Sequence, residues 1–98
     1  MKRVYPDRDE DLIFQVIYDE EHIDNFKLTF KTIGEASFTK TKAQLEEDMM
    51  KLSSTELKTL PDGVLRCYAT ITSLDSAFPD DTYDDIQYIE TDYYIYHG

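Results

Sequence analysis

The sequence predicts an all-β fold: a small antiparallel β-sandwich, immunoglobulin-like, with one short helix. Residues 26–32, “FKLTFKT”, alternate between apolar and polar, as in a half-buried strand. Segments 64–72 and 86–96 are rich in β-branched and aromatic residues, and turn signals separate the segments at fairly regular intervals. A chain of 98 residues is long enough for one modest core and too short for two, so residues 1–98 are predicted to form a single domain.

The first part of the chain is predicted to contain three strands. Residues 12–18, “LIFQVIY”, predict a strand that is buried for most of its length. Polar residues 19–25 separate it from the strand at 26–32, which favours a hairpin between the two. Gly34 marks the next turn, and residues 36–41 predict the third strand.

Residues 41–52 leave two structures open. Three apolar residues are spaced as on one face of a helix, and Thr41 with Gln44 has the spacing of a capping box at its start. A short strand through “DMMKL” is the alternative.

A helix and a strand are predicted next, followed by a loop and a final strand. Ser53 and Glu56 have capping-box spacing and “PDG” is a stop signal, so a short helix is predicted near residues 54–60. The strand at 64–72 leads through the loop “SLDSAFPDDTYDD” to a final strand at 86–96. The apolar patterns predict one core that contains Phe14, Val16, Phe26, Leu28, Phe30, Leu65, Cys67 and Ile71.

The charge of the chain lies at its two ends. The net charge is −11, of which residues 1–25 carry −5 and residues 67–98 carry −7, while the middle is nearly neutral. Such a field repels nucleic acid and anionic membranes and favours basic partners. We therefore expect neither direct nucleic-acid binding nor membrane association.

No sequence pattern predicts an enzyme or a cofactor. His22 and His97 have no sequence neighbour that would complete a nucleophilic dyad, and both are expected to be exposed. Cys67 lies on a predicted core face and is expected to be a small core residue. The acidic loop at 79–85 lacks the ligand spacing of an EF-hand, so no metal site is predicted, and an irregular calcium site there is left open.

The end of the chain is acidic and rich in tyrosine. Residues 74–98 hold seven acidic residues and five tyrosines, with no lysine or arginine. Since strand side chains alternate, these tyrosines must occur on both faces of the final strand, and a core can use only one of them. Tyrosine is enriched at protein interfaces. The predicted interface consists of Asp80, Asp81, Tyr83, Asp84, Asp85, Tyr88, Tyr93, Tyr94 and Tyr96.

Three features, spread over residues 12–96, resemble a small β-sandwich module of tailed phages of gut anaerobes. They are the alternating strand at 26–32, the helical entry into a long strand at 57–65, and the “FPD” loop at 78–80 before the last strand. The chain is similar in this respect to the N-terminal module of phage baseplate upper proteins and to small virion proteins of crAss-like phages. The resemblance implies a non-enzymatic virion protein, made in the bacterial host cytoplasm, that docks other phage proteins in the tail, collar or baseplate.

The expected function is therefore that of a structural docking module in a multi-copy assembly, with virion proteins that carry basic patches as its partners. The alternative is an acidic inhibitor that imitates nucleic acid, because protein sites that bind phosphates respond to charge density.

Overall fold

The computed structural model describes residues 1–74 and 82–97, apart from the side chains of residues 74 and 82–84. Its strands are β1 (Lys2–Val4), β2 (Leu12–Gln15), β3 (Ile23–Lys31), β4 (Ser37–Thr41), β5 (Met49–Leu52), β6 (Gly63–Leu74) and β7 (Thr82–Ile95). The helix α1 spans Ser54–Leu57, and 3-10 turns occupy Pro6–Arg8 and Lys42–Gln44. One sheet has the order β1-β7-β6-β3-β4, and the other pairs β2 with β5. The predicted small all-β sandwich with one short helix is confirmed.

The core lies on one face of the five-stranded sheet. In the register of β3 and β6, Phe26 lies opposite Ile71, and Phe30 lies opposite Cys67. The inward residues of β2 and β5 cover this face, since Leu12 lies opposite Leu52 and both are buried. Every residue predicted for the core is buried or packs against the buried cluster, and the cluster also contains Val4, Met50, Leu52, Leu57, Leu60, Ala69 and Ile95.

The predicted hairpin between the first two apolar segments is wrong. The strand β3 pairs with β4 on one edge and β6 on the other, so neither edge is available to β2, which pairs with β5. The prediction that segment 12–18 is buried for most of its length is also wrong, because Ile13 and Ile17 are exposed. This segment alternates and forms the outer layer of the sandwich, where only one face is covered.

Residues 41–52 combine parts of both structures that the sequence left open. The capping box of Thr41 and Gln44 is present, but it starts a single 3-10 turn. The chain then forms β5, in which Met50 and Leu52 are buried. Glu47 and Asp48 have φ values of 51° and 64°, so the left-handed backbone at these two positions separates the turn from the strand.

The second capping box also forms. The Ser53 side chain accepts the Glu56 N–H at 3.2 Å, and the Ser53 N–H donates to the Glu56 carboxylate at 3.0 Å. The helix α1 ends three residues before the predicted end, and the following turn buries Leu60 beside Leu57. No helix in the described ranges is long and apolar enough to cross a membrane.

The strands β6 and β7 form a long antiparallel hairpin. Their register runs from Gly63 opposite Ile95 to Leu74 opposite Thr82, with an irregularity between Val64 and Arg66. Residues 73, 74 and 82–85, predicted as loop, are therefore strand, and the remainder of that predicted loop lies outside the described residues. The short β1 runs parallel to β7 at Tyr93–Ile95, so one pair in the sheet departs from the predicted antiparallel arrangement.

Candidate protein-binding site

The register of β7 assigns each of its residues to one of two faces. Odd-numbered residues point toward the core side, because Ile89 lies opposite the buried Cys67. Even-numbered residues point away from the core, because Tyr88 lies opposite Tyr68. The assignment holds along the described part of the strand, since Tyr94 lies opposite Val64 and keeps the even parity beyond the irregularity.

The outer face of β7 carries apolar and aromatic side chains that the fold leaves uncovered. Ile86 is 72% exposed and Tyr88 is 50% exposed. The rings of Tyr88 and Tyr68 lie 5.2 Å apart in a tilted arrangement, which fixes the Tyr88 side chain against its neighbouring strand. Glu90 follows on the same face, opposite Arg66. The outer face therefore presents a positioned tyrosine beside an acidic residue.

The core side of β7 changes from buried to exposed along the strand. Ile95 is buried and Tyr93 packs against the core. Further along, Ile89 is 44% exposed, and Gln87 and Asp85 are also exposed. The two-stranded sheet thus leaves this part of β7 uncovered.

A groove of about 410 Å³ lies where the covering sheet stops. One wall is the inner side of β2 with the residues after it, and the other is β7 from Ile89 to Tyr93. Its floor includes Leu28, Leu65 and Cys67, and its charged lining residues are Glu90 and Asp92. The groove is mostly apolar, and the two acidic residues at its border, Glu90 and Asp92, have the even parity of the outer face.

Tyr94, near the end of β7, and Tyr96, just after it, lie against the first residues of the chain. The Tyr96 ring makes an edge contact with Tyr5 at 5.8 Å, and the Arg3 guanidinium lies 5.2 Å from its centroid. Tyr94 lies opposite Arg3 in the register of β1 and β7. Both tyrosines are only partly exposed.

The predicted interface residues are thus distributed unevenly. Tyr88 and Asp85 are exposed, while Tyr93, Tyr94 and Tyr96 are partly buried by contacts within the fold. Tyr83 and Asp84 lie in β7 with only their backbone described, and Asp80 and Asp81 lie outside the described residues. The interface stays a prediction. Ile86 and Ile89, two apolar residues of an acidic strand, are not among the predicted interface residues.

Three acidic or histidine side chains cluster in the turn before β3. Asp19, Glu21 and His22 are all exposed, and their possible ligand atoms lie within 4.8 Å of one another. The Asp19 carboxylate lies 2.6 Å from the His22 ring and accepts the Glu21 N–H at 3.0 Å. The hydrogen bond from His22 lowers the pKa of Asp19 despite some desolvation. The Asp19 carboxylate is thus hydrogen-bonded within its own turn. The irregular calcium site left open at 79–85 lies mainly outside the described residues.

His22 is exposed as predicted, but the expectation of an exposed His97 is wrong. The His97 side chain is only 26% exposed, and its Nε2 lies 2.6 Å from the Leu60 carbonyl oxygen. Its Nδ1 lies 3.3 Å from the Asp7 carboxylate. These partners come from distant parts of the chain, so no local sequence signal identifies them. Cys67 is buried as expected, and burial raises the pKa of its thiol to about 11, which keeps the thiol protonated.

We expect the free energy of unfolding to fall as pH rises through the titration of His97. The hydrogen bond to the Leu60 carbonyl, aided by Asp7 and Asp62, raises the pKa of His97. A raised pKa in the folded state stabilises the protein fully below the unfolded value of about 6.5, and this contribution is lost as pH rises through the folded value. Urea unfolding of the protein and of His97→Gln at pH 5.5 and 8.5 measures it. An equal pH dependence in both proteins would contradict the role of His97.

No protein-family model, curated protein or solved structure matches the chain.

Proposed function

We propose that the protein is a non-catalytic docking module that binds another protein through the exposed half of β7. The observation that carries this proposal is the exposure of Ile86, Tyr88 and Ile89 on the two faces of one strand. A folded domain gains nothing in solution from leaving large apolar side chains grouped there, and such groups are typical of protein-binding surfaces. The neighbouring carboxylates supply a polar, charged rim.

The narrower form of the proposal is a structural protein of a phage virion, in the tail, collar or baseplate. It rests on the resemblance of the segments at 26–32, 57–65 and 78–80 to small phage modules. Its partners would be other virion proteins with basic patches, because the charged residues of segment 85–92 are all acidic. Repeated copies in one particle would let a modest interface hold by avidity.

An acidic inhibitor that imitates nucleic acid is the second candidate. The excess of carboxylates at both ends of the sequence favours it. A mimic depends on its charges and little on apolar area, however, and here Ile86 and Ile89 lie among the carboxylates. The two candidates therefore differ in the residues on which binding depends.

A photo-cross-linking experiment tests the docking function. The photoreactive residue p-benzoylphenylalanine replaces Tyr88 in one protein and Glu35, in an exposed turn after β3, in a control. The proteins are expressed in phage-infected host cells, and the particles are purified and irradiated. We expect a specific cross-link from position 88 alone, to a particle protein with a basic surface. Equal cross-linking from both positions, or a cross-link from position 88 only to a nucleic-acid-binding enzyme, would contradict the virion function.

The identified partner then separates docking from mimicry. We expect Tyr88→Ala to weaken binding by more than about 2 kcal/mol, or roughly 30-fold, since an aromatic anchor in a packed interface commonly contributes that much. The charge variant Asp85→Asn/Glu90→Gln should mainly slow association and reduce its salt dependence. Circular dichroism confirms that both variants are folded. If the charge variant abolishes binding while Tyr88→Ala binds normally, the docking hypothesis is contradicted and the hypothesis of a nucleic-acid mimic is favoured.

A further inference from the structure

In the described part of the chain, one edge of β7 has no paired strand over residues 85–92. The strand pairs with β6 on one edge, and on the other β1 covers only Tyr93–Ile95. Among the described residues, no strand pairs with this second edge between Asp85 and Asp92. Alternate backbone N–H and C=O groups along a free edge are available to another strand. We call residues 85–92 on this side the free edge.

The outward groups belong to the even-numbered residues. The Tyr96 N–H donates to the Val4 carbonyl at 3.0 Å, on the side of β7 that faces β1. Residues of the same parity direct their N–H groups to the same side, and the irregularity preserves this parity because it sets four residue steps of β7, Tyr94 to Glu90, against two of β6, Val64 to Arg66. Ile86, Tyr88 and Glu90 therefore direct their N–H groups to the free edge, whereas Gln87 and Ile89 direct theirs to β6.

Apolar side chains flank the free edge on both faces. Ile86 and Tyr88 lie exposed on the outer face, and Ile89 lies exposed on the core side at the mouth of the groove beside β2. A strand added at the edge would place alternate side chains against each of these surfaces. Its core-side residues would cover Ile89 and narrow the opening of the groove, so the added strand would gain burial as well as backbone hydrogen bonds.

The charge at the free edge selects the partner. Asp85, Glu90 and Asp92 are acidic, and residues 85–92 contain no basic residue. A second copy of β7 added to this edge would bring two sets of like charges together, which destabilises a strand pair. A strand with lysine or arginine would have the opposite effect and would associate faster at low salt.

The chain itself provides an example of what this side of β7 binds. The strand β1 carries Lys2 and Arg3 and adds parallel to β7 at Tyr93 and Tyr94, next to the free edge. Val4, its apolar residue, is buried against the core. A short segment that combines basic side chains with an apolar one is thus already bound in register, and the free edge continues the same line.

We propose that the free edge of β7 binds an extended segment of a partner protein as an added β-strand, in which lysine or arginine alternates with apolar residues. This proposal deepens the docking function above and rests on it. The apolar side chains cover Ile89 and the mouth of the groove, and the basic side chains lie near Glu90 on the opposite side of the added strand, since the Asp92 carboxylate already lies 3.8 Å from the N-terminal ammonium.

The probe for this proposal is a ten-residue peptide of alternating lysine and valine, with blocked ends, and the control peptide has glutamate in place of lysine. Amide hydrogen exchange of the labelled protein is followed by NMR. We expect the lysine peptide to slow exchange at Ile86, Tyr88 and Glu90, whose N–H groups face the free edge, and to leave Gln87 and Ile89 unchanged. The glutamate peptide should have no effect. Equal effects of the two peptides, or slowed exchange along β2 instead of β7, would overturn the proposal.

A matched pair of variants isolates the backbone. Ile86→Ala keeps the outward N–H and loses the side chain, whereas Ile86→Pro loses both and leaves the N–H groups that bond to β6 in place. We expect Ile86→Pro to bind the lysine peptide about tenfold more weakly than Ile86→Ala, the effect of one backbone hydrogen bond. Urea unfolding confirms that both variants remain folded. Equal binding by the two variants would overturn strand addition. If strand addition fails while the cross-linked partner still depends on Tyr88, the docking function stands without it.

Discussion

We expect Phe30→Ala to lower the free energy of unfolding by about 3–5 kcal/mol, as truncation of a buried phenylalanine typically does. Phe30 is 1% exposed. Its ring stacks on Phe38 at 5.5 Å and lies 5.9 Å from Phe14, so it contacts the neighbouring strand in its own sheet and the strand that covers it. No single side chain movement can refill that space, because the surrounding residues belong to three different strands.

Urea unfolding at pH 7 measures this loss, with Ile17→Ala as the matched control. Ile17 is an apolar residue of similar size and is 85% exposed, so its truncation should change the free energy of unfolding by less than about 0.5 kcal/mol. Thermal unfolding should show a fall of some 4–8 °C for each kcal/mol in a domain of this size. A loss below about 1.5 kcal/mol for Phe30→Ala would mean that the two sheets are not packed through this ring.

The elements that the sequence predicts well are those that local chemistry determines. The alternation around Phe30 requires one covered face wherever the strand lies in the sheet, and the capping box at Ser53 and Glu56 closes its hydrogen bonds within four residues. The short helix and the strand at Phe26–Phe30 therefore follow from the sequence alone. Their register against distant strands does not, because many strands offer a suitable apolar face.

Strand partners and edges depend on the whole sheet. The β-branched and aromatic residues of segment 12–18 predict a strand but do not show that both edges of β3 are occupied by β4 and β6. The strand β1 was not predicted for the same reason. Its three residues include two basic side chains and resemble a loop in sequence, and only the whole fold shows that Val4 is buried in the core. The start of β7 is strand because it pairs with β6, although Asp84 and Asp85 have low strand propensity.

The sequence predicts on which face of β7 each tyrosine lies, but it does not predict which tyrosines are exposed. Alternation places tyrosines on both faces of β7, and the register bears this out with Tyr88 on the outer face and Tyr93 toward the core. Which tyrosine is exposed depends on where the covering sheet ends and where β1 adds, and neither is a property of the segment itself. Tyr96 contacts Tyr5 across a separation of more than ninety residues of chain, beyond the reach of any local pattern.

Glu56 connects the helix to the sheet through a pair of interactions. Its carboxylate accepts the Ser53 N–H as part of the capping box, and its other oxygen lies 2.7 Å from the Lys40 ammonium on β4. The Lys40 side chain is only 11% exposed and that of Glu56 is 30% exposed. Burial alone would raise the pKa of Glu56, but the hydrogen bonds from Lys40 and Ser53 outweigh it and hold the pKa below its ordinary value.

We expect Glu56→Ala to lower the free energy of unfolding by about 2–3 kcal/mol at pH 7, through loss of the Glu56 side-chain half of the capping box and of the charged hydrogen bond to Lys40. Glu56→Gln is the matched variant, because glutamine can keep the capping hydrogen bonds and removes only the charge, so it should lose about 1 kcal/mol.

The lowered pKa means that the charge stabilises the fold above the unfolded glutamate value of about 4.3, and this contribution should disappear as pH falls through the lower, folded value. Urea unfolding at pH 7 and at pH 3 separates the two effects: the difference between the wild type and Glu56→Gln should shrink at pH 3, whereas Glu56→Ala should remain less stable than Glu56→Gln at both. If Glu56→Gln matches the wild type at pH 7, the ion pair does not stabilise the fold; if the two variants are equally stable, the cap does not.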